Sequence, residues 1–204
     1  MAFRDFSYPE VVSQFGLTET TEDLFGTAPP VAPTPEYRAM AARYARLAVG
    51  NLNEKAKSEY LIAPLLVELW ARYEDRVNMY SGSEFVADEA AKLSGYCDFL
   101  LGLGQQLPIP RAPQVVVIEA KKDDLMDGYG QCIAGMVGLQ RFNRTAKRNR
   151  PFVYGGVTTG GLWRLMKLEG TTLTYDKNEF ATKSPDELLG ALVAMIESLL
   201  AVPA

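Results

Sequence analysis

Two hydrophobic periods take turns along the chain. From about Pro35 to Leu47 the run PEYRAMAARYARLA favours a helix. Asn51 or Asn53 then caps a longer helix from Glu54 to about Arg76, on which Leu61, Ile62, Leu65, Leu66 and Leu69 form one apolar stripe. Pro64 lies inside this stripe and either kinks the helix or marks its true first turn. After Asn78 the period becomes strand-like: SEFVADEA is a weak strand, GYCDFLLGL a better one and PQVVVIEAK the strongest in the chain. The turn-rich GLGQQLPIPRAP joins the last two as a hairpin-like return.

DGYGQCIAGMVGLQRFN returns to spaced apolar residues over about four turns, although Gly128, Gly130, Gly135 and Gly138 weaken its helical propensity. The small residues at 134, 135 and 138 suit close packing on a sheet. PFVYGGVTT and LWRLMKLEG read as strands separated by TGG, followed by TTLTYD. SPDELLGALVAMIESLL closes the chain as a helix, with Ser184 as N-cap and Pro185 as first helical residue. Helices interleaved with strands in this order predict an α/β fold of one domain, a three-layer sandwich whose central mixed sheet is flanked by helices. Residues 1–35 read as an N-terminal extension, because Pro29, Pro30, Pro33 and Pro35 favour extended chain, and residues 36–204 as the domain. Residues 18–35 are expected to wrap the surface or mediate assembly rather than enter the core.

A length of 204 residues supports one substantial core, and 48% apolar residues with 23% charged is ordinary globular composition. LIAPLLVELWA carries Glu68 and is too short to span a bilayer, so no membrane segment is expected. The opening MAFRDFSYPEVV lacks a basic region followed by an apolar core, so no secretory signal and a cytoplasmic location are expected. The two cysteines, Cys97 and Cys132, are then expected to be reduced. Histidine is absent from the sequence, which removes Ser-His-Asp, Cys-His and HExxH chemistry together. A net charge of -4 argues against a surface that is basic throughout. It leaves room for a local groove around RFNRTAKRNR, where Arg141, Arg144, Lys147, Arg148 and Arg150 either contact phosphate or sit as solvated cations at a helix C-terminus.

What changes the picture is the placement of charge inside the strands. Glu119 and Lys121 project from one side of VVVIEAKK about 7 Å apart, with Val115 and Val117 before them, while Val116, Ile118 and Ala120 face the other side. Asp98 in the neighbouring strand lies beside Glu119 if the register permits. Adjacent carboxylates repel, and a hard divalent cation relieves the repulsion. Two readings of Asp98, Glu119 and Lys121 are therefore open, a structural ion triad or a reactive metal-dependent site.

GYCDFLLG followed by VVVIEAKK resembles the Asp-spacer-Glu-x-Lys signature of the PD-(D/E)XK nuclease superfamily, whose fold is restriction endonuclease-like. The resemblance covers roughly residues 54 to 165, and GYGQCIAGMVGLQRF with PFVYGGVTTGGLWRL is most similar to the N-terminal nuclease domains of type I restriction subunits. It implies that Asp98 and Glu119 are metal ligands with the Ala120 carbonyl as a third, and that Lys121 is the catalytic lysine. It also matches Glu59 to the family's helix glutamate near the metal, and Gln131 to the glutamine after the motif. Mg²⁺, or Mn²⁺ in its place, is the implied cofactor, and nucleic acid, DNA first, the implied substrate. A homodimer or larger restriction-like assembly is the implied state. Cys97 stands where family members carry proline, and the motor, methyltransferase and recognition domains of a type I enzyme are absent from the sequence. A catalytically silent member of the fold that binds nucleic acid or protein is the alternative.

Overall fold

The computed structural model of the chain describes residues 3–49 and 53–202. A 3₁₀ turn at Phe3–Asp5 leads into α1 (Tyr8–Gln14) and β1 (Thr18–Glu22), followed by α2 (Pro35–Val49), α3 (Glu54–Lys57) and α4 (Ala63–Trp70). Strands β2 (Val77–Asp88), β3 (Leu93–Leu103) and β4 (Gln114–Ala120) precede the long α5 (Met126–Thr145). Then come β5 (Phe152–Thr158), β6 (Leu162–Glu169), β7 (Thr172–Asp176), the short β8 (Phe180–Ala181) and α6 (Pro185–Leu200). The strands form one sheet in the order β1-β7-β6-β5-β4-β3-β2, with β8 beside β6. Pairs β4–β5 and β1–β7 are parallel and the rest antiparallel, so the sheet is mixed.

Strand alternation divides the apolar side chains between two layers. Leu100, Val117 and Val157 meet Ile133 and Met136 of α5 on one face, whereas Phe99, Ile118 and Trp163 meet Leu65 of α4 and Leu192 of α6 on the other. The result is the expected three-layer sandwich. Val115 departs from the expected alternation and packs with Val116 on the α4–α6 face. The cause is a β-bulge: Leu101 pairs with Val116 but Gly102 with Gln114, so Val115 is the extra residue and the alternation resets across it.

The Oδ1 of Asn53 accepts the Ala56 N–H at 2.8 Å, which makes Asn53 the cap of α3; Asn51 lies outside the described residues. The helix then widens to π geometry over Ser58–Ile62, with the Ala63 N–H reaching back to the Ser58 carbonyl, before α4 resumes. Pro64 sits in the first turn of α4, where its missing N–H and its ring are accommodated by the wider turn behind it. Helical structure ends at Trp70, short of Arg76, where the indole Nε1 donates to the Val77 carbonyl at 2.8 Å.

The first 35 residues are not an extension. Phe3 and Val11 are fully buried and Phe6 nearly so, beneath α5. Glycines of α5 provide the seat: a Cβ on Gly130 would lie 2.1 Å from the Phe6 carbonyl oxygen, and one on Gly138 would lie 3.1 Å from the Phe3 ring. Gly128 and Gly135 approach the sheet, where a Cβ would lie 2.4 Å from Val157 and 3.2 Å from Val117 respectively, so the small residues of α5 serve both the strands and the N-terminal segment. The chain next adds β1 to the sheet edge beside β7 and crosses to the opposite face. There Phe25 is buried and its N–H donates to Asp176 at 3.0 Å, while Thr34 donates its N–H and hydroxyl to Glu68, both at 2.9 Å. The prolines hold this strap extended across α6, where Gly190 admits the Pro29 carbonyl. Among the described residues no helix is long and apolar enough to cross a membrane.

Candidate active site

The antiparallel ladder between β3 and β4 ends at the pair Phe99 and Ile118. The next positions in register are Asp98 and Glu119, so the two carboxylates face each other where the strands part. They share the α5 face with Leu100 and Val117, whose alternation they continue. Beyond the fork the Ala120 N–H has no strand partner and donates instead to Asp98 Oδ2 at 2.8 Å. The N–H and C=O of one strand residue point to the same edge, which directs the Ala120 carbonyl toward Asp98 as well.

Glu119 is completely buried, and neither carboxylate oxygen has a hydrogen-bond partner. Asp98 beside it offers no donor while both are ionised, but accepts a proton held by Glu119, which adds to the upward push on that carboxyl. Burial, followed by repulsion from Asp98, pushes the Glu119 carboxyl well above the usual carboxylate range, against the pull of the Lys121 ammonium. Cys132, from α5, and Cys97 are buried free thiols. Burial raises both, and the charge of Glu119 raises them further.

Lys121 follows β4 and bonds through its N–H to the Thr158 carbonyl at 2.8 Å, so its side chain leaves the sheet toward α5. Its Nζ donates to Gln131 Oε1 at 3.0 Å. No ion pair joins Lys121 to Asp98 or Glu119 among the described residues, so the three side chains do not form a structural ion triad. Gly128 leaves room for the lysine stem, since a Cβ there would lie 3.0 Å from Lys121 Cγ.

Above these groups lies a cleft of about 610 Å³ walled by Asp98, Lys121, Gln131, Glu54, Glu84 and Tyr96, with Arg4, Ser94 and Gly95 completing it. Of the residues expected from the sequence, Asp98, Glu119, Ala120, Lys121 and Gln131 are together. Glu59 is not: it is exposed and pairs with Lys55 at 2.7 Å, one turn along its own helix. The helix acid that reaches the cleft is Glu54, whose charge also adds to the repulsion felt by Glu119. Lys57 holds α3 there by donating to the Lys122 carbonyl and lying 3.7 Å from Asp123. Glu54 and Glu59 lie five residues apart, about 140° around a helix axis, so when Glu54 faces the cleft Glu59 does not.

The basic segment is at the other end of α5, with Arg144 roughly 20 Å along the axis from Gln131 at 1.5 Å per residue. Arg141 is paired with Asp88 at 2.5 Å and stacks over Phe15, and Arg150 donates to the Leu199 and Val202 carbonyls at the end of α6. Those two cations serve the fold, while Arg144, Lys147 and Arg148 are exposed.

The donor set offered at the fork is hard oxygen throughout, two carboxylates and a carbonyl, and one carboxylate lacks any other partner; this fits Mg²⁺ or Mn²⁺. Among the described residues no group of three or more His, Cys, Asp or Glu side chains is placed to hold a metal ion. A site here would therefore draw on the backbone and on water. No protein-family model matches the chain, and no curated protein matches it.

Proposed function

We propose that the cleft hydrolyses phosphodiester bonds of nucleic acid, DNA first, with Mg²⁺ or Mn²⁺ held by Asp98, Glu119 and the Ala120 carbonyl, as in PD-(D/E)XK nucleases. The observation that carries this reading is the fully buried, unpartnered Glu119 carboxylate facing Asp98. A divalent cation, when bound, polarises the scissile phosphate and lowers the pKa of an attacking water. Asp98 is oriented by the Ala120 N–H, which fixes one of its oxygens. Lys121, anchored on the Gln131 oxygen, offsets the charge that develops on the phosphoryl oxygens or orients the water.

One observation favours a second reading, a nuclease-fold protein that binds nucleic acid or protein without turnover. The fork supplies only two acidic side chains, and no larger metal-holding group is present among the described residues. The two readings separate when wild type, Asp98→Ala and Lys121→Ala are incubated with single- and double-stranded DNA and RNA in Mg²⁺, Mn²⁺, Ca²⁺ or chelator. Hydrolysis predicts cleavage by wild type with Mg²⁺ or Mn²⁺ and little with Ca²⁺. Lys121→Ala should bind metal without turnover, and Asp98→Ala should lose both. Absence of cleavage on every substrate, with no metal uptake by calorimetry, selects the binding module.

A further inference from the structure

The geometry points to Tyr96 as a stacking platform for an unpaired nucleobase, which makes single-stranded nucleic acid the ligand class of the cleft. The inference rests on the reading of this cleft as a nucleic-acid site, but not on turnover. Tyr96 is two residues before Asp98 on β3 and lines the same cleft. The residue is 67% exposed, the most exposed large apolar or aromatic residue among those described, and makes no hydrogen bond or ring contact among them. Gly95 beside it has no side chain to crowd the ring, and its φ of 142° is one that glycine accepts readily.

Charge explains why a stacking contact is needed here. The walls carry Glu54, Glu84 and Asp98 against Arg4 and Lys121, and Glu119 lies beneath them. Such a lining is no electrostatic funnel, so phosphate attraction alone would hold a strand weakly. Base–aromatic stacking is indifferent to that charge and contributes about 1–3 kcal/mol per base on alanine substitution. The cleft volume of about 610 Å³ is within the range of roughly 300–1,000 Å³ usual for ligand pockets. In a duplex both faces of a base are covered by its neighbours in the stack, so a ring at the cleft wall can engage only a base already unpaired or turned out.

The test is fluorescence anisotropy of the full chain in Ca²⁺, which supports binding with little turnover, using a labelled single-stranded oligodeoxynucleotide and the blunt duplex of the same sequence. Wild type should prefer the single strand. Tyr96→Ala should weaken single-strand binding about 5- to 150-fold and leave duplex binding unchanged, whereas Tyr96→Phe should keep most of the affinity. Tyr96→Trp should show fluorescence quenching on adding the single strand. Because the side chain is exposed, these variants should unfold at the wild-type temperature, which separates lost binding from lost fold. A wild-type preference for duplex, or unchanged single-strand affinity in Tyr96→Ala, overturns the inference. Wild type that binds single strands through Tyr96 yet cleaves nothing in Mg²⁺ leaves it standing and removes hydrolysis alone.

Discussion

Substituting Phe3 by alanine tests whether the N-terminal segment belongs to the core. The ring is 1% exposed, lies 6.0 Å from the Phe85 ring at an interplanar angle of 17°, and fills the space left by Gly138 on α5. Truncating a phenylalanine in such a site costs about 3–5 kcal/mol, the lost transfer free energy plus the cavity left behind. For a domain of this size each kcal/mol lowers the melting temperature by about 2–4 °C, so Phe3→Ala should melt roughly 6–20 °C below wild type. A residue in a surface extension would instead change stability by less than about 0.5 kcal/mol, as Gln14→Ala, on the exposed side of α1, should. The assay is urea unfolding followed by tryptophan fluorescence, with thermal scans alongside. A midpoint shift at constant m-value is the expected result. A loss below about 1 kcal/mol for Phe3→Ala would refute the placement of this segment in the core. Deleting residues 1–22 should go further, since it also uncovers Tyr129 and Val137 of α5 and the β7 edge, and should abolish cooperative unfolding.

Three further outcomes follow from the site. Metal-free protein should lose stability as pH rises above the ordinary carboxylate range, because folded Glu119 retains a proton that the unfolded chain has already released; Glu119→Gln should flatten that slope in thermal scans with chelator. Adding Mg²⁺ at about 100 times its Kd near pH 8 should raise the melting temperature by roughly 5–10 °C, and Asp98→Ala should abolish the rise. Glu54→Ala should slow cleavage in single-turnover assays while Glu59→Ala leaves it at the wild-type rate; the reverse would show that Glu59 is the helix acid of the cleft.

The sequence was most informative where one period ran unbroken. β4 reads directly from PQVVVIEAK, and the pairing of Asp98 with Glu119 needed only an antiparallel register, which the turn-rich connection suggests. Glu119, Lys121 and Gln131 come together for equally local reasons, a strand end followed by a helix start. The misplacement of Glu59 has a different origin. Glu54 and Glu59 sit on different faces of the helix, about 140° apart, and spacing alone does not say which face meets the cleft. Glu84 and Tyr96 were hidden because cross-strand neighbours depend on the full β2–β3 register, including the pair that joins them. The N-terminal segment carried a legible signal that its prolines obscured. Ser7-Tyr8-Pro9-Glu10 is a capping box with proline in the first turn, and Glu10 does accept the Ser7 N–H at 3.1 Å. The destination of Phe3, Phe6 and Val11 was not legible, since nothing local says that α5 keeps glycines to receive them.

Energetics then bear on why the fork is built as it is. A carboxylate without a donor costs about 1–3 kcal/mol or more when buried, and a second carboxylate opposite raises the burden. A protein using these side chains for stability alone would bring Lys121 onto them, because breaking a buried pair is far costlier than forming it. The lysine instead spends its hydrogen bond on Gln131, and Asp98 accepts from the backbone of Ala120, so both are oriented without neutralising Glu119. Without a cation the fork holds a proton on Glu119 instead, and a ligand that brings positive charge would take that proton's place. A divalent cation meets that condition with the oxygen ligands present, and it also answers the excess of acid on the cleft walls that would otherwise repel a phosphate. Metal and substrate binding would on this account be coupled: the cation makes the cleft tolerable to a phosphodiester, and a base stacked on Tyr96 holds the strand where Lys121 can act.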